Sequence, residues 1–201
     1  FVSSFDRPNI RYVVEEKSDP RAQLMRFLDT GLDGGGFRGS AGIVYCQSRK
    51  RTDEIAELLR SKGYDAIAYH AGLSNDVRAA AQQRFRREDG VIVVATIAFG
   101  MGIDKPDVRF VAHVDLPKSL EGYYQEVGRA GRDGQPSDCL LFYSWADVLA
   151  FDRLESDAAP EIVERQRRQV RAMYEFAERR SCRHAALVGH FEERIQPCGD
   201  A

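Results

Sequence analysis

No apolar run in this 201-residue sequence approaches the roughly 18 residues that a bilayer span needs, so no membrane partner is expected. Nothing at the amino terminus resembles a signal peptide. The first residue is Phe rather than Met, so the chain is expected to begin inside a longer one. Positive charge is not in excess. The formal net charge is −2, so a nucleic-acid partner draws no support from the total and would depend on local clusters. Cysteine is scarce, with Cys46, Cys139, Cys182 and Cys198 the only four. Cys46 and Cys139 lie in the apolar runs AGIVYC and DCLLFY and read as buried, reduced thiols. Without a secretion signal, a reducing cytoplasmic compartment is expected.

What is present is a regular alternation. The short apolar runs IRYVV, GIVYC, DAIAYH, VIVVA, VRFVAHV and CLLFY are separated by the helical patterns RAQLMRFLD, RKRTDEIAELLRSKG, SNDVRAAAQQRFRRE and SLEGYYQEVG. Continuous apolar strands between helices predict a parallel sheet covered on both faces. Gly63 is a plausible helix stop, and Ser74 or Asn75 a good helix start. GLDGGGFRGSAG (31–42) has six glycines in twelve residues. A phosphate loop would end in Gly-Lys-Ser/Thr and open a helix. This stretch has no lysine and precedes a strand, so a flexible connection is expected. From Ser144 onward the pattern is helical. Val163, Gln166, Val170, Met173 and Ala177 form one stripe, with Arg165, Arg167, Arg168 and Arg171 on a solvated face. The predicted division is an α/β domain over 1–144 and a helical extension over 145–201.

In such a sheet, ligands bind beyond the carboxyl ends of the strands. GIVYC runs into Gln47-Ser48-Arg49, DAIAYH into His70-Ala71-Gly72, and VIVVA into Thr96 through Gly102. Hydroxyls, glycine amides, an arginine and a histidine suit phosphodiester contacts. Phe99 either stacks on a base or covers the core, and His70 is either structural or a ligand contact. A second group is YYQEVGRAGRDGQ, where Arg129 and Arg132 each follow a glycine. Loop arginines among glycines commonly hold an anion.

SSFDRPNIRY, GIVYCQSR, YHAGL, VATIAFGMGIDKPDVRFVAHVDLPKS and YYQEVGRAGRDG together resemble the second motor lobe of the RecQ family of DNA helicases, within helicase superfamily two. The resemblance covers about residues 3–144, and the following helices are similar to the start of that family's zinc-binding region. It implies a RecA-like parallel sheet with helices on both faces, followed by a helical extension. GIVYCQSR resembles motif IV, and VATIAFGMGIDKPD resembles motif V. The nucleic-acid contacts it implies are Ser48, Arg49, His70, Thr96, Phe99 and Gly100, on single-stranded or duplex DNA. QEVGRAGR resembles motif VI. Gln125, Gly128 and Asp104 are then placed at ATP, Asp104 near its ribose, and Arg129 or Arg132 acts as the arginine finger. Phosphoryl transfer spreads negative charge over the equatorial oxygens, and an arginine from across an interface is worth roughly a thousandfold or more in rate. Its planar, permanently charged fork suits that better than an ammonium does. The structural alternative is an ion pair from these arginines to Asp133 or Glu126.

Half of such an engine is absent. No GxxxxGK[ST] occurs; Asp53-Glu54 sits in a helical pattern, and His113-Val114-Asp115 leads to Pro117. Without those groups, which hold the phosphates and Mg²⁺ and order water, the chain is expected to be inactive alone. The resemblance implies a partner, an N-terminal RecA-like lobe preceding Phe1, supplying most of the ATP and Mg²⁺ contacts. It also implies that Cys182 and Cys198 are the first two of four zinc-binding cysteines. A C-x-x-C step places Ala201 at the third, so the Zn²⁺ site is expected to be partial here. Two other readings remain open: a non-enzymatic nucleic-acid-binding module, and an RNA helicase lobe of another branch.

Overall fold

The computed structural model describes residues 5–96, 99, 104–153 and 158–197. Six strands form one sheet: β1 (Ile10–Glu16), β2 (Ala41–Tyr45), β3 (Ala66–Tyr69), β4 (Ile92–Ala95), β5 (Val108–His113) and β6 (Ser137–Tyr143). Their spatial order is β1-β6-β5-β2-β4-β3, and every pairing is parallel. The helices are α1 (Pro20–Thr30), α2 (Arg49–Ser61), α3 (Asn75–Arg87), α4 (Leu120–Val127), α5 (Trp145–Asp152), α6 (Pro160–Glu178) and α7 (Arg183–His190).

Alternating residues of the central strands enter two different apolar layers, as a sheet buried on both faces requires. Val44, Ile92, Val94, Phe110, Ala112, Leu140 and Phe142 face the layer under α1 and α2. Ile43, Tyr45, Val93, Ala95, Val111, Cys139 and Leu141 face the other, with Phe85 of α3 and Tyr123 and Val127 of α4. Val148 of α5, Val170, Met173, Phe176 and Ala177 of α6 and Leu187 of α7 join that second layer, so the helical extension shares the sheet's core. Only the carboxyl-terminal half of α6 follows the expected stripe. Gln166 is exposed and Val163 only half-buried.

Local signals account for the helix ends. Asp19 caps α1, accepting from Arg21 N and Ala22 N ahead of Pro20 at the first turn. Ser48 caps α2 and Ser74 caps α3 through their side-chain oxygens. Gly63, at φ +80°, turns the chain just after α2, where an L side chain would be strained. The glycine-rich connection before β2 is pinned at its middle. Phe37 is buried against Phe27 and Phe110, with ring centroids 5.0 and 4.8 Å apart, and its N–H donates to Leu28 O.

The turn from α4 into β6 packs against the start of β5. Gly131 N–H donates to Val108 O at 2.9 Å, and Asp133 N–H to Pro106 O at 3.2 Å. Arg109 Nη2 donates to both Asp133 oxygens, at 2.7 and 2.6 Å. That guanidinium holds the Asp133 carboxyl below the usual carboxylate range.

Gly42 faces Phe110 across the β2–β5 pair, and an added Cβ would lie 2.0 Å from the ring. Gly42→Ala is expected to cost about 1–3 kcal/mol, as overpacking does. Urea titration should show a lower midpoint at unchanged slope, and Phe110→Leu in the same chain should recover part of the loss. The Arg109–Asp133 pair has a pH signature. A carboxyl depressed in the folded state contributes stability above its unfolded value and loses it as pH falls through the folded one. Thermal melts from pH 7 downward should therefore show wild type losing its advantage over Asp133→Asn in acid, and a constant gap would exclude the pair.

Candidate functional site

Because all six strands are parallel, their carboxyl ends share one edge. Cys46 N–H donates to Ala95 O, Thr96 N–H to Tyr69 O and Val114 N–H to Tyr45 O, knitting the loops after β2, β3, β4 and β5 together. Along this edge Ser48 and Arg49 are exposed, Gly72 is exposed and Thr96 is half-buried. Arg49 folds over the next loop: a Cβ on Gly72 would lie 3.2 Å from its Cδ and 3.3 Å from Nη1. The first turn of α2 has no acidic residue. Its amino-terminal amides and Arg49 therefore bring positive charge to this corner, while Lys50 and Arg51 are paired with Glu54 and Asp115.

Beneath the edge lies an ion cluster that sequence reasoning missed. Asp115, 7% exposed at its side chain, accepts from Lys17 Nζ at 3.0 Å and Gln47 N–H at 3.0 Å, with Arg51 Nη1 at 3.2 Å. Lys17 also pairs with Asp147 at 2.7 Å. The cluster ties the ends of β1, β2 and β5 to the start of α5. Its members are spread from residue 17 to 147, and no local pattern marks them. Removing one partner of such a buried network leaves an uncompensated charge, costing about 3–5 kcal/mol.

Two expected nucleic-acid contacts are buried. Phe99 is 1% exposed, and its ring meets Tyr69 and Phe85 edge-on at 4.8 and 5.5 Å. It has no face open to a base, because apolar burial claims the ring. His70 is 6% exposed and has both ring nitrogens engaged. Nδ1 accepts from Gly72 N–H at 3.2 Å, which leaves the proton on Nε2, 3.1 Å from Asp53. His70 therefore braces the Ala71–Gly72 turn rather than presenting itself to a ligand. Gly100 lies outside the described residues.

The second group of candidates sits elsewhere. α4 carries the chain back across the sheet, so Gly128 through Arg132 lies beside the start of β5, at the opposite edge from Ser48. Gln125 is exposed on α4, and Gly128 is that helix's C-cap. Arg132 Nη1 lies 2.9 Å from Asp104 Oδ1, and Arg132 Nε donates to Gly128 O at 3.5 Å. Both carboxylates considered from sequence have partners elsewhere. Asp133 is held by Arg109, and Glu126 lies 2.8 Å from His113 Nε2. Instead two nucleotide-site candidates, Asp104 and Arg132, meet each other. Their side chains are 83% and 38% exposed. A pair so exposed is worth at most about 1 kcal/mol, so a phosphate can displace the carboxylate at little cost.

Arg129 is half-buried and reaches the Tyr45 hydroxyl. Burial pushes that hydroxyl's pKa up, Glu126 adds to the rise and the Arg129 guanidinium opposes it. The hydroxyl stays protonated and donates to Phe99 O at 3.1 Å, leaving its lone pairs to accept. Tyr45 thus stands between the segment after β4 and the arginine loop.

For a metal, the described donors do not suffice. Cys182 is buried, and its sulfur accepts from Ala185 N–H at 3.5 Å as the cap of α7. His184 Nδ1 lies 2.9 Å from Asp6, and His190 Nε2 2.8 Å from Glu121. Cys198 lies outside the described residues. Among the described residues no three His, Cys, Asp or Glu side chains converge, so one thiol stands where a tetrahedral zinc site needs four ligands. Also among them, no helix is long and apolar enough to cross a membrane.

Comparison with known proteins gives the family. The helicase conserved C-terminal domain matches residues 23–134, and the RecQ zinc-binding family matches 145–200. The chain is 49% identical, over its whole length, to 32% of the ATP-dependent DNA helicase RecQ of Haemophilus influenzae. It is 45% identical, over 96% of its length, to 14% of the ATP-dependent DNA helicase hus2/rqh1 of Schizosaccharomyces pombe. It thus spans about a third or less of these curated relatives. Among solved structures, a DEAD box protein from Methanococcus jannaschii aligns over 80% of this chain and 40% of its own, at TM-score 0.57 and 25% identity. The Escherichia coli DEAD-box protein SrmB aligns over 77% and 91% at TM-score 0.56 and 24% identity, a likeness of fold alone. An all-parallel RecA-like sheet, a glycine-flanked arginine loop and both family matches converge: this chain belongs to the RecQ family of helicases, of which it carries the conserved C-terminal helicase domain and the zinc-binding region.

Proposed function

We propose that this chain is the second motor lobe of an ATP-dependent 3′-to-5′ DNA helicase serving DNA repair and recombination. In this reading Arg129 and Arg132 face the phosphates of ATP·Mg²⁺, which is bound chiefly by a separate amino-terminal lobe. Asp104, Gln125 and Gly128 complete the nucleotide side. Ser48, Arg49, the Ala71–Gly72 turn and Thr96 contact the DNA backbone, with His70 and Phe99 supporting those loops from beneath. The working compartment is the cytoplasm, or the nucleoid of a bacterium. Zinc, in this reading, takes Cys182 and Cys198 as two of its ligands.

The observation that carries the reading is the Arg132–Asp104 contact at 2.9 Å, which puts motif VI beside the end of motif V. An exposed, weakly held arginine on a glycine-flanked loop is ready to exchange its carboxylate for a phosphoryl oxygen. Its guanidinium would then stabilise the charge that develops on the equatorial oxygens as the γ-phosphoryl leaves. The sequence holds no Gly-Lys-Ser/Thr loop, so the attacking water, Mg²⁺ and the β- and γ-phosphates are the first lobe's to position.

DNA-stimulated ATP hydrolysis tests this directly. The chain alone should be inactive. In the intact helicase Arg132→Ala should cut turnover by at least about a hundredfold while single-strand affinity stays near wild type. Near-normal turnover would remove Arg132 from the finger role. Retained DNA binding without hydrolysis by any form would favour a non-enzymatic binding module. Single-strand affinity of the chain should be weak and fall as salt rises, since backbone contacts release counterions. Salt-independent binding would contradict the assignment of the carboxyl edge.

A further inference from the structure

We propose that Arg7 and Asn9 are positioning residues for the arginine loop, holding its backbone so that Arg129 and Arg132 present a fixed geometry to the nucleotide. This rests on the functional reading above. Arg7 is half-buried ahead of β1, 121 to 124 residues from the groups it binds. Its Nη1 donates to Gly128 O at 3.3 Å, and its Nη2 donates to Ala130 O at 2.9 Å and Gly131 O at 3.0 Å. One guanidinium therefore gathers three carbonyls from a turn of four residues. Asn9 Nδ2 donates to Gly131 O at 2.8 Å and Gln135 O at 3.0 Å, while Asn9 O accepts from Ser137 N–H at 3.0 Å.

The fit is tight. Gly131 has φ +54°, and a Cβ there would lie 2.5 Å from Asn9 Nδ2 and 2.7 Å from both Gln135 O and Ser137 Oγ. The glycine between the two arginines is thus required by the clamp as well as by its own backbone conformation. Gly128 O accepts from Arg132 Nε as well as from Arg7 Nη1, so the positioning arginine and the proposed finger share one acceptor. Arg7 also places a permanent positive charge at the carboxyl end of α4, where the last carbonyls of a helix carry excess negative charge. With its carbonyls drawn onto Arg7 and Asn9, the turn keeps one shape. A finger acts only if its donors already stand where charge develops, and a misplacement of about 1 Å costs on the order of a hundredfold.

The test is a set of variants in the intact helicase, read as kcat and KM for ATP with saturating single-stranded DNA. Arg7→Ala should lower kcat by about ten- to a hundredfold with little change in KM, as loss of a transition-state interaction does. Arg7→Lys should recover only part, since a single ammonium cannot span three carbonyls as a fork does. Asn9→Ala, a milder cut in the same clamp, should lower kcat in the same sense and keeps the test decisive should Arg7→Ala misfold. The discriminating variant is Arg7→Ala combined with Arg132→Ala, whose loss should be clearly smaller than the product of the two single losses. Losses that multiply in the double variant, a rise in KM alone, or normal kcat in Arg7→Ala and Asn9→Ala beside a crippled Arg132→Ala would overturn the clamp and leave the finger standing. Normal turnover in both Arg129→Ala and Arg132→Ala would overturn both.

Discussion

The parallel sheet is the constraint on which everything else depends. A chain can lay down parallel neighbours only by returning across a face after each strand, so every crossover begins at the carboxyl edge and ends at the amino edge. The loops that follow β2, β3 and β4 are thereby collected on one edge. The residues that precede β5 and β6 are collected on the other. The two groups of polar residues in this chain divide along that line: Ser48, Arg49, Gly72 and Thr96 at one edge, Asp104 and the Gly128–Arg132 turn at the other.

Each edge is fastened by charged groups from distant parts of the sequence, in different ways. At the carboxyl edge the Lys17, Arg51, Asp115 and Asp147 cluster is largely buried, so its geometry is costly to disturb. At the amino edge Arg109, Arg7 and Asn9 fix the backbone of the arginine turn, whereas the outermost pair, Arg132 with Asp104, stays open to water. A backbone held by several hydrogen bonds thus lies beneath a side chain paired only at the surface. Tyr45, donating to Phe99 O and reached by Arg129, gives the two regions a shared contact inside the core.

The helical extension is part of the same body. Its buried residues complete the layer over one sheet face, and its last helix is tied back to α4 through His190 and Glu121, and to the amino-terminal arm through His184 and Asp6. His184 and His190 are thus each paired with a carboxylate elsewhere in the fold.

The sequence by itself determined the strands, the helices and the layering. Apolar period, caps such as Ser48 and Ser74 and the turn glycine Gly63 act within a few residues, and local chemistry is legible locally. It also determined the candidates, because glycine-flanked arginines and a GIVYCQSR run are contiguous patterns. What only the tertiary structure decided was who meets whom. Phe99 went to the core and His70 to Asp53 because burial and a neighbouring helix outweighed what their loops suggested. Arg132 found Asp104 rather than Asp133, since Arg109 on β5 had already taken the nearer carboxylate. Arg7 reached three carbonyls more than 120 residues away because β1 pairs with β6, a long-range choice that no local window contains.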